Sequence, residues 1–128
     1  MRRTVTKDLV LSATTTHYLS IPDTGGLTWK VVDMRLISDS TFAIDGTNNW
    51  KIEVFGSNGS TSLDEWNNDT GGDALTAGVP FRYTIGASKG TALELDQGTG
   101  QSLKAVCTKT SSPTNLVGEL LIELEAVA

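Results

Sequence analysis

At 128 residues, with 38% hydrophobic and 20% charged side chains, the chain has the length of one compact domain, which buries roughly two-thirds of the surface its unfolded form exposes. This composition is not that of a disordered segment, and no window approaches the roughly 18 consecutive apolar residues of a membrane-spanning helix, so no membrane partner is expected. A formal charge of −5, with only Arg2, Arg3 and Lys7 clustered among the cations, argues against nucleic acid as a partner, because polyanion binders gather Lys and Arg on one face.

The N-terminal residues Met1-Arg2-Arg3-Thr4-Val5-Thr6-Lys7-Asp8 carry positive charge without the apolar stretch of roughly 7 to 15 residues that makes a signal peptide, so export by that route is not expected. Residues 1–8 read as an extended arm. From Val5 onward the pattern has period two, Val5, Lys7, Leu9 and Leu11 alternating with Thr6, Asp8 and Val10, which is how a half-buried strand reads. A second extended piece covers residues 17–21, and Asp23-Thr24-Gly25-Gly26 is a turn. Over residues 29–37, Val32, Met34 and Leu36 fall on one face and Asp33 and Arg35 on the other.

A short run at 41–44 ends at Asp45-Gly46, and Trp50-Lys51-Ile52-Glu53-Val54-Phe55 alternates cleanly after the turn residues Thr47-Asn48-Asn49. Residues 57–74 hold few apolar side chains and read as a long surface loop with a helical turn near Leu63 to Trp66. Strands resume at 79–85, 92–95, 102–108 and 116–127. In the last, Leu120, Ile122, Leu124 and Ala126 share one face and Glu119, Glu123 and Glu125 the other, an acidic outer side that resists edge-to-edge pairing. About eight short strands with no helices between them predict a single all-β domain over 1–128, an antiparallel jelly-roll-like β-sandwich.

The residues that carry chemistry are few. His17 is the only histidine, so a hydrolytic triad has one possible base, and no G-x-S-x-G elbow accompanies it. One Cys and one His do not make a zinc site, and Gly71-Gly72 and Gly98-Thr99-Gly100 lack the Lys-Ser/Thr that completes a phosphate loop. Cys107, in the apolar run Leu103-Lys104-Ala105-Val106-Cys107, reads as a packed small hydrophobe. The acidic stretch Asp64-Glu65-Trp66-Asn67-Asn68-Asp69-Thr70-Gly71-Gly72-Asp73 raises calcium as a ligand without EF-hand spacing. A polar loop is the default, and no cofactor or metal is expected. Glu53, Asp64 and Glu65 are the carboxylates from which a glycosidase pair would be drawn, though no spacing places two of them together.

Asn58-Gly59-Ser60 and Asn68-Asp69-Thr70 match the glycosylation sequon, which matters only in a secreted context. Among Trp29, Trp50 and Trp66, the first two sit at strand positions suited to the core, leaving Trp66 as the exposed aromatic on which a sugar or protein partner would stack.

Several segments together resemble small virion proteins of tailed bacteriophages, the capsid decoration (cement) and head-fibre-like proteins. They are Ile21-Pro22 followed by Trp29-Lys30-Val31-Val32-Asp33, then Asn48-Asn49-Trp50-Lys51-Ile52, then Leu75-Thr76-Ala77-Gly78-Val79-Pro80, and above all Lys104-Ala105-Val106-Cys107-Thr108-Lys109-Thr110-Ser111-Ser112-Pro113-Thr114 leading into the terminal strand. The resemblance spans most of the chain and lies in strands and turns rather than in a catalytic motif. It implies a non-enzymatic jelly roll, a homotrimer in many such proteins, bound to the major capsid protein on the outer surface of the virion head. On that reading Arg2, Arg3, Val5 and Lys7 of the arm, with Trp66, are the partner-binding residues. A tail or fibre protein and a carbohydrate-binding sandwich are the competing readings, since fold does not fix function.

Overall fold

The alternating pattern becomes nine strands among the described residues of a computed structural model, which cover 2–20, 28–56, 62–84, 94–96 and 102–127. In chain order they are β1 (Arg2–Leu11), β2 (Thr15–Ser20), β3 (Thr28–Ser38), β4 (Asn49–Phe55), β5 (Ser62–Asn67), β6 (Phe81–Arg82), β7 (Glu94–Asp96), β8 (Ser102–Thr110) and β9 (Leu116–Val127). The turn read at Asp23 to Gly26, the sequon at Asn58 and Gly98-Thr99-Gly100 lie outside the described residues.

All pairings are antiparallel: β1 with β9, β2 with β8, β3 with β6 and β7, and β4 with β5. The chain is therefore one long ribbon that turns back between β4 and β5. Rolling that ribbon brings β9 beside β3 and β8 beside β4, which gives one sheet in the order β1-β9-β3-β6, with β7 also on β3, and a second in the order β2-β8-β4-β5. This is the strand order of a jelly roll, the solution in which two antiparallel sheets cover each other's apolar faces.

The two inner faces form one core. The first sheet supplies Leu9, Leu11, Trp29, Val31, Met34, Leu36, Leu120, Ile122 and Leu124, and the second Leu19, Trp50, Ile52, Val54, Trp66, Leu103 and Cys107. Strand β3 departs from strict alternation. Its register against β9 shifts between Val31 and Asp33, so Val32 is an extra residue that changes the phase. Trp29 and Val31 are buried before the bulge and Met34 and Leu36 after it, instead of Val32, Met34 and Leu36 sharing a face, because one inserted residue reverses which parity points inward.

Three other expectations are corrected. Residues 57–74 are not all loop: β5 pairs with β4 from Asn67 to Ser62, and its register shift between Val54 and Phe55 puts Leu63 and Trp66 in the core although they are three apart. The run at 41–44 is not a strand but a single bridge between Phe42 and Leu75. Residues 2–8 are not an arm, since β1 pairs with β9 residue by residue from Arg2–Glu125 to Leu11–Leu116. The inward alternation of Val5 and Leu9 anchors it there.

Candidate functional site

Strand pairing lays the outer face of the first sheet out as a grid of rows running across β1, β9 and β3. In order, the rows are Arg2, Glu125 and Lys30; Thr4, Glu123 and Asp33; Thr6, Leu121 and Arg35; Asp8, Glu119 and Ile37. Val10 and Val117 close it, with Asp39 beside them donating its backbone N–H to the Val117 carbonyl at 2.8 Å. Directly opposed side chains on one face lie within reach of each other, so each row is a set of contacts.

The two ends of this face differ in charge balance. At the first, Arg2 bridges Glu123 at 2.8 Å and Glu125 at 3.0 Å, and Lys30 lies 3.9 Å from Glu125. Beside them Arg35 and Arg82, from β3 and β6, grip the two oxygens of Asp33 at 2.8 and 2.9 Å. Partial burial alone would raise the Asp33 pKa, but hydrogen bonds from Arg82 and Arg35 outweigh it and hold this carboxyl below its ordinary value. The same pairings raise the guanidinium pKa values of Arg2 and Arg82.

At the other end, none of the ion pairs among the described residues involves Asp8, Glu119 or Asp39. These carboxylates surround Val10, 73% exposed, Val117, 41% exposed, and the half-buried Ile37. Together the six line an open groove of about 430 Å³. Valines exposed to this degree and contiguous across strands mark a contact surface more readily than scattered ones do.

The partner-binding residues expected from the sequence do not converge. Arg2 lies on the outer face, tied to Glu123 and Glu125. Arg3 is exposed, Val5 packs against the core, and Lys7 is half-buried on the inward side of β1 opposite Leu120. Trp66 is 1% exposed, donates its Nε1–H to the Asp73 carbonyl at 3.0 Å, and meets Phe42 edge-to-face at 6.4 Å. It is a core residue rather than a platform, because β5 exists where a loop was expected. The exposed aromatic is Tyr18, 61% accessible on β2, opposite Lys104, whose ammonium sits 5.1 Å from the Phe55 ring centroid.

His17 lies on β2, an edge strand, with its Nε2 buried and no hydrogen-bond partner for that atom among the described residues. Desolvation first, and the charge of Lys7 second, lower its pKa. Inward-facing charged or polar groups of this kind discourage a sheet edge from pairing with another chain. Cys107 is fully buried, and burial pushes its thiol up to about 12, which keeps it from the thiolate form that reacts.

The acidic stretch 64–73 does not gather its carboxylates. Asp64 accepts the backbone N–H of Thr84 at 2.7 Å, and Asp69 accepts that of Thr70 at 2.7 Å. No three Asp, Glu, His or Cys side chains among the described residues form a metal-holding group. Register sets Glu65 opposite Glu53, which accepts a hydrogen bond from the Ser62 hydroxyl at 2.7 Å.

The groove residues Val10, Val117, Ile37, Asp8, Glu119 and Asp39 were not singled out from the sequence as a site. The parity of β1 does place Val10 outside when Leu9 and Leu11 are inside, and the same holds for Val117 beside Leu116. No family model matches the chain, and comparison with curated proteins finds no match.

Proposed function

We propose that this chain is a non-enzymatic structural protein of a tailed-phage virion, a decoration protein that binds the outside of the head and stabilises the lattice of the major capsid protein, self-associating as a homotrimer. The observation that carries the reading is the exposed valine pair Val10 and Val117, set opposite each other across β1 and β9 on the outer face of the jelly roll, whose inner faces form one core. The described residues offer open surfaces for contact, and surfaces are what cross-linking of shell subunits requires. Support also comes from the segments that resemble decoration proteins. Of their described parts, Trp29 to Asp33 lie in β3, Trp50 to Ile52 in β4 and Lys104 to Thr110 in β8, with 111–114 leading into β9.

Co-sedimentation with purified undecorated heads, together with native mass, tests the proposal. Saturable binding by a trimer supports it, and a monomer that stays in the supernatant overturns it.

A tail, fibre or sugar-binding role is favoured by one observation, the exposed Tyr18 beside Lys104 and Phe55 on the second sheet. Aromatic faces of this kind stack on sugars. Glycan binding by the isolated chain that Tyr18→Ala abolishes would replace the first reading with this one.

A further inference from the structure

We infer that the groove between the ends of β1, β9 and β3 is the docking surface for a cationic polypeptide segment that carries Lys or Arg next to aliphatic side chains. This inference rests on the decoration reading and names the part of the molecule that makes the contact and the chemistry of what it meets.

The two ends of this one sheet face are unequal in charge balance. Where Arg2, Lys30, Arg35 and Arg82 stand, they neutralise Glu123, Glu125 and Asp33 within the chain. Around the groove, Asp8, Glu119 and Asp39 take part in none of the ion pairs of the described residues, and register sets Asp8 directly opposite Glu119. Like charges opposed across a strand pair weaken the sheet. Isolated folding gives no reason for the arrangement, whereas a cation arriving from outside relieves it.

The apolar part of the groove narrows the occupant further. Val10 and Val117 are 73% and 41% exposed, so a partner that covers them removes aliphatic surface from water while its cations meet the carboxylates. A hydrated metal ion has no use for the valines, and an acidic partner is repelled. A second copy presenting the same face would bring two sets of the three carboxylates together, so isologous self-contact through this groove is disfavoured. A basic segment with aliphatic neighbours satisfies both halves of the surface, with complementary charge setting specificity and the rate of encounter.

The test uses the full chain and, as probe, heads assembled from the shell protein of the encoding phage without decoration. Asp8→Asn with Glu119→Gln removes charge at nearly constant shape and relieves a repulsion, so loss of binding in this variant does not reflect unfolding. Val10→Ser with Val117→Ser removes the apolar contact, and Arg82→Gln alters the neutralised end as a control. The expected result is affinity weakened by about tenfold or more in both groove variants, a shallower salt dependence in the charge variant, and little change in the control. Wild-type binding that both groove variants retain unchanged overturns the docking surface and leaves the decoration reading standing. A wild-type chain that ignores the heads overturns both.

Discussion

The side-chain carbonyl of Asn68 accepts the backbone N–H of Trp50 at 2.9 Å, while its amide donates to the Ala43 carbonyl at 2.9 Å. Asn68 is 2% exposed, and its own backbone also engages Trp50 and Asp45. It thus ties the loop after β5 to the start of β4 and to the segment before it.

Asn68→Ala removes the acceptor of the buried Trp50 N–H and the donor to the part-buried Ala43 carbonyl, which costs roughly 1 to 3 kcal/mol. Asn68→Asp keeps the acceptor for Trp50 but turns a carboxylate toward the Ala43 carbonyl, so it is also destabilising. Urea denaturation of the three proteins measures this, and a wild-type midpoint for Asn68→Ala would refute it. The same burial removes the sequon at Asn68 from use in the folded chain.

Trp66→Ala is expected to act on stability. The side chain sits in the core, packed against Phe42 and hydrogen-bonded through Nε1 to Asp73. Truncating such a residue costs roughly 3 to 5 kcal/mol. Trp66→Phe keeps most of the ring and is milder. Thermal unfolding distinguishes the two, and a Trp66→Ala protein as stable as wild type would show that the indole is not part of the core.

How much of this was legible in the sequence follows from where alternation is uninterrupted. The terminal strand was readable to its ends, because Leu120, Ile122 and Leu124 keep one parity and Glu119, Glu123 and Glu125 the other. Strand β3 was readable in extent but not in phase, since the bulge at Val32 leaves no local mark in a run of apolar and charged residues. Strand β5 was hidden because Asp64, Glu65 and Asn67 make it polar and a register shift spaces Leu63 and Trp66 by three. Parity alone exposes Val10. Its meeting with Val117, and that of Asp8 with Glu119, depends on β1 joining β9 across nearly the whole chain, which no local pattern encodes.

The pH dependence of stability near neutrality follows from His17. Its folded-state pKa lies below the ordinary 6.5, through desolvation first and Lys7 second. Between those two values the unfolded chain binds more protons than the folded one, so this contribution is fully present above about 6.5 and is lost as pH falls. Asp33 and Asp45 also have lowered pKa values, but their contributions fade only below the ordinary 3.8. Denaturation at about pH 7.5 and about pH 5 therefore isolates His17. His17→Gln should flatten the difference, and an unchanged slope in that variant would assign it elsewhere.

Gly118 and Gly78 are expected to fail for different reasons. A Cβ at Gly118 would collide with the Ile37 carbonyl and the Ser38 Cα of the neighbouring strand, and backbone in the middle of a sheet cannot yield cheaply. Gly118→Ala should therefore cost roughly 1 to 3 kcal/mol. Gly78 has open space around it but a φ of +73°, which Asn tolerates better than Ala. Gly78→Asn should be milder than Gly78→Ala, while at Gly118 both residues are harmful. Melting temperatures of the four variants check the contrast.

At the groove, stability of the isolated chain and binding to a partner are opposed. Asp8 and Glu119 face each other across β1 and β9, and none of the ion pairs among the described residues involves either. Replacing one with its amide should stabilise the isolated chain by a few tenths of a kcal/mol, the scale of cross-strand pair effects. The gain should shrink as salt screens the repulsion. Arg2→Gln, at the balanced end, removes the partner of Glu123 and Glu125, so its effect on stability should have the opposite sign and fade with salt in the same way. If Glu119→Gln both raises the low-salt unfolding midpoint and weakens attachment to heads, the unpaired carboxylates are a surface held ready for a partner, at the expense of the lone molecule. A lowered midpoint in Glu119→Gln would mean that the carboxylate already has a stabilising partner within the chain, and the case for an external cation would fall with it.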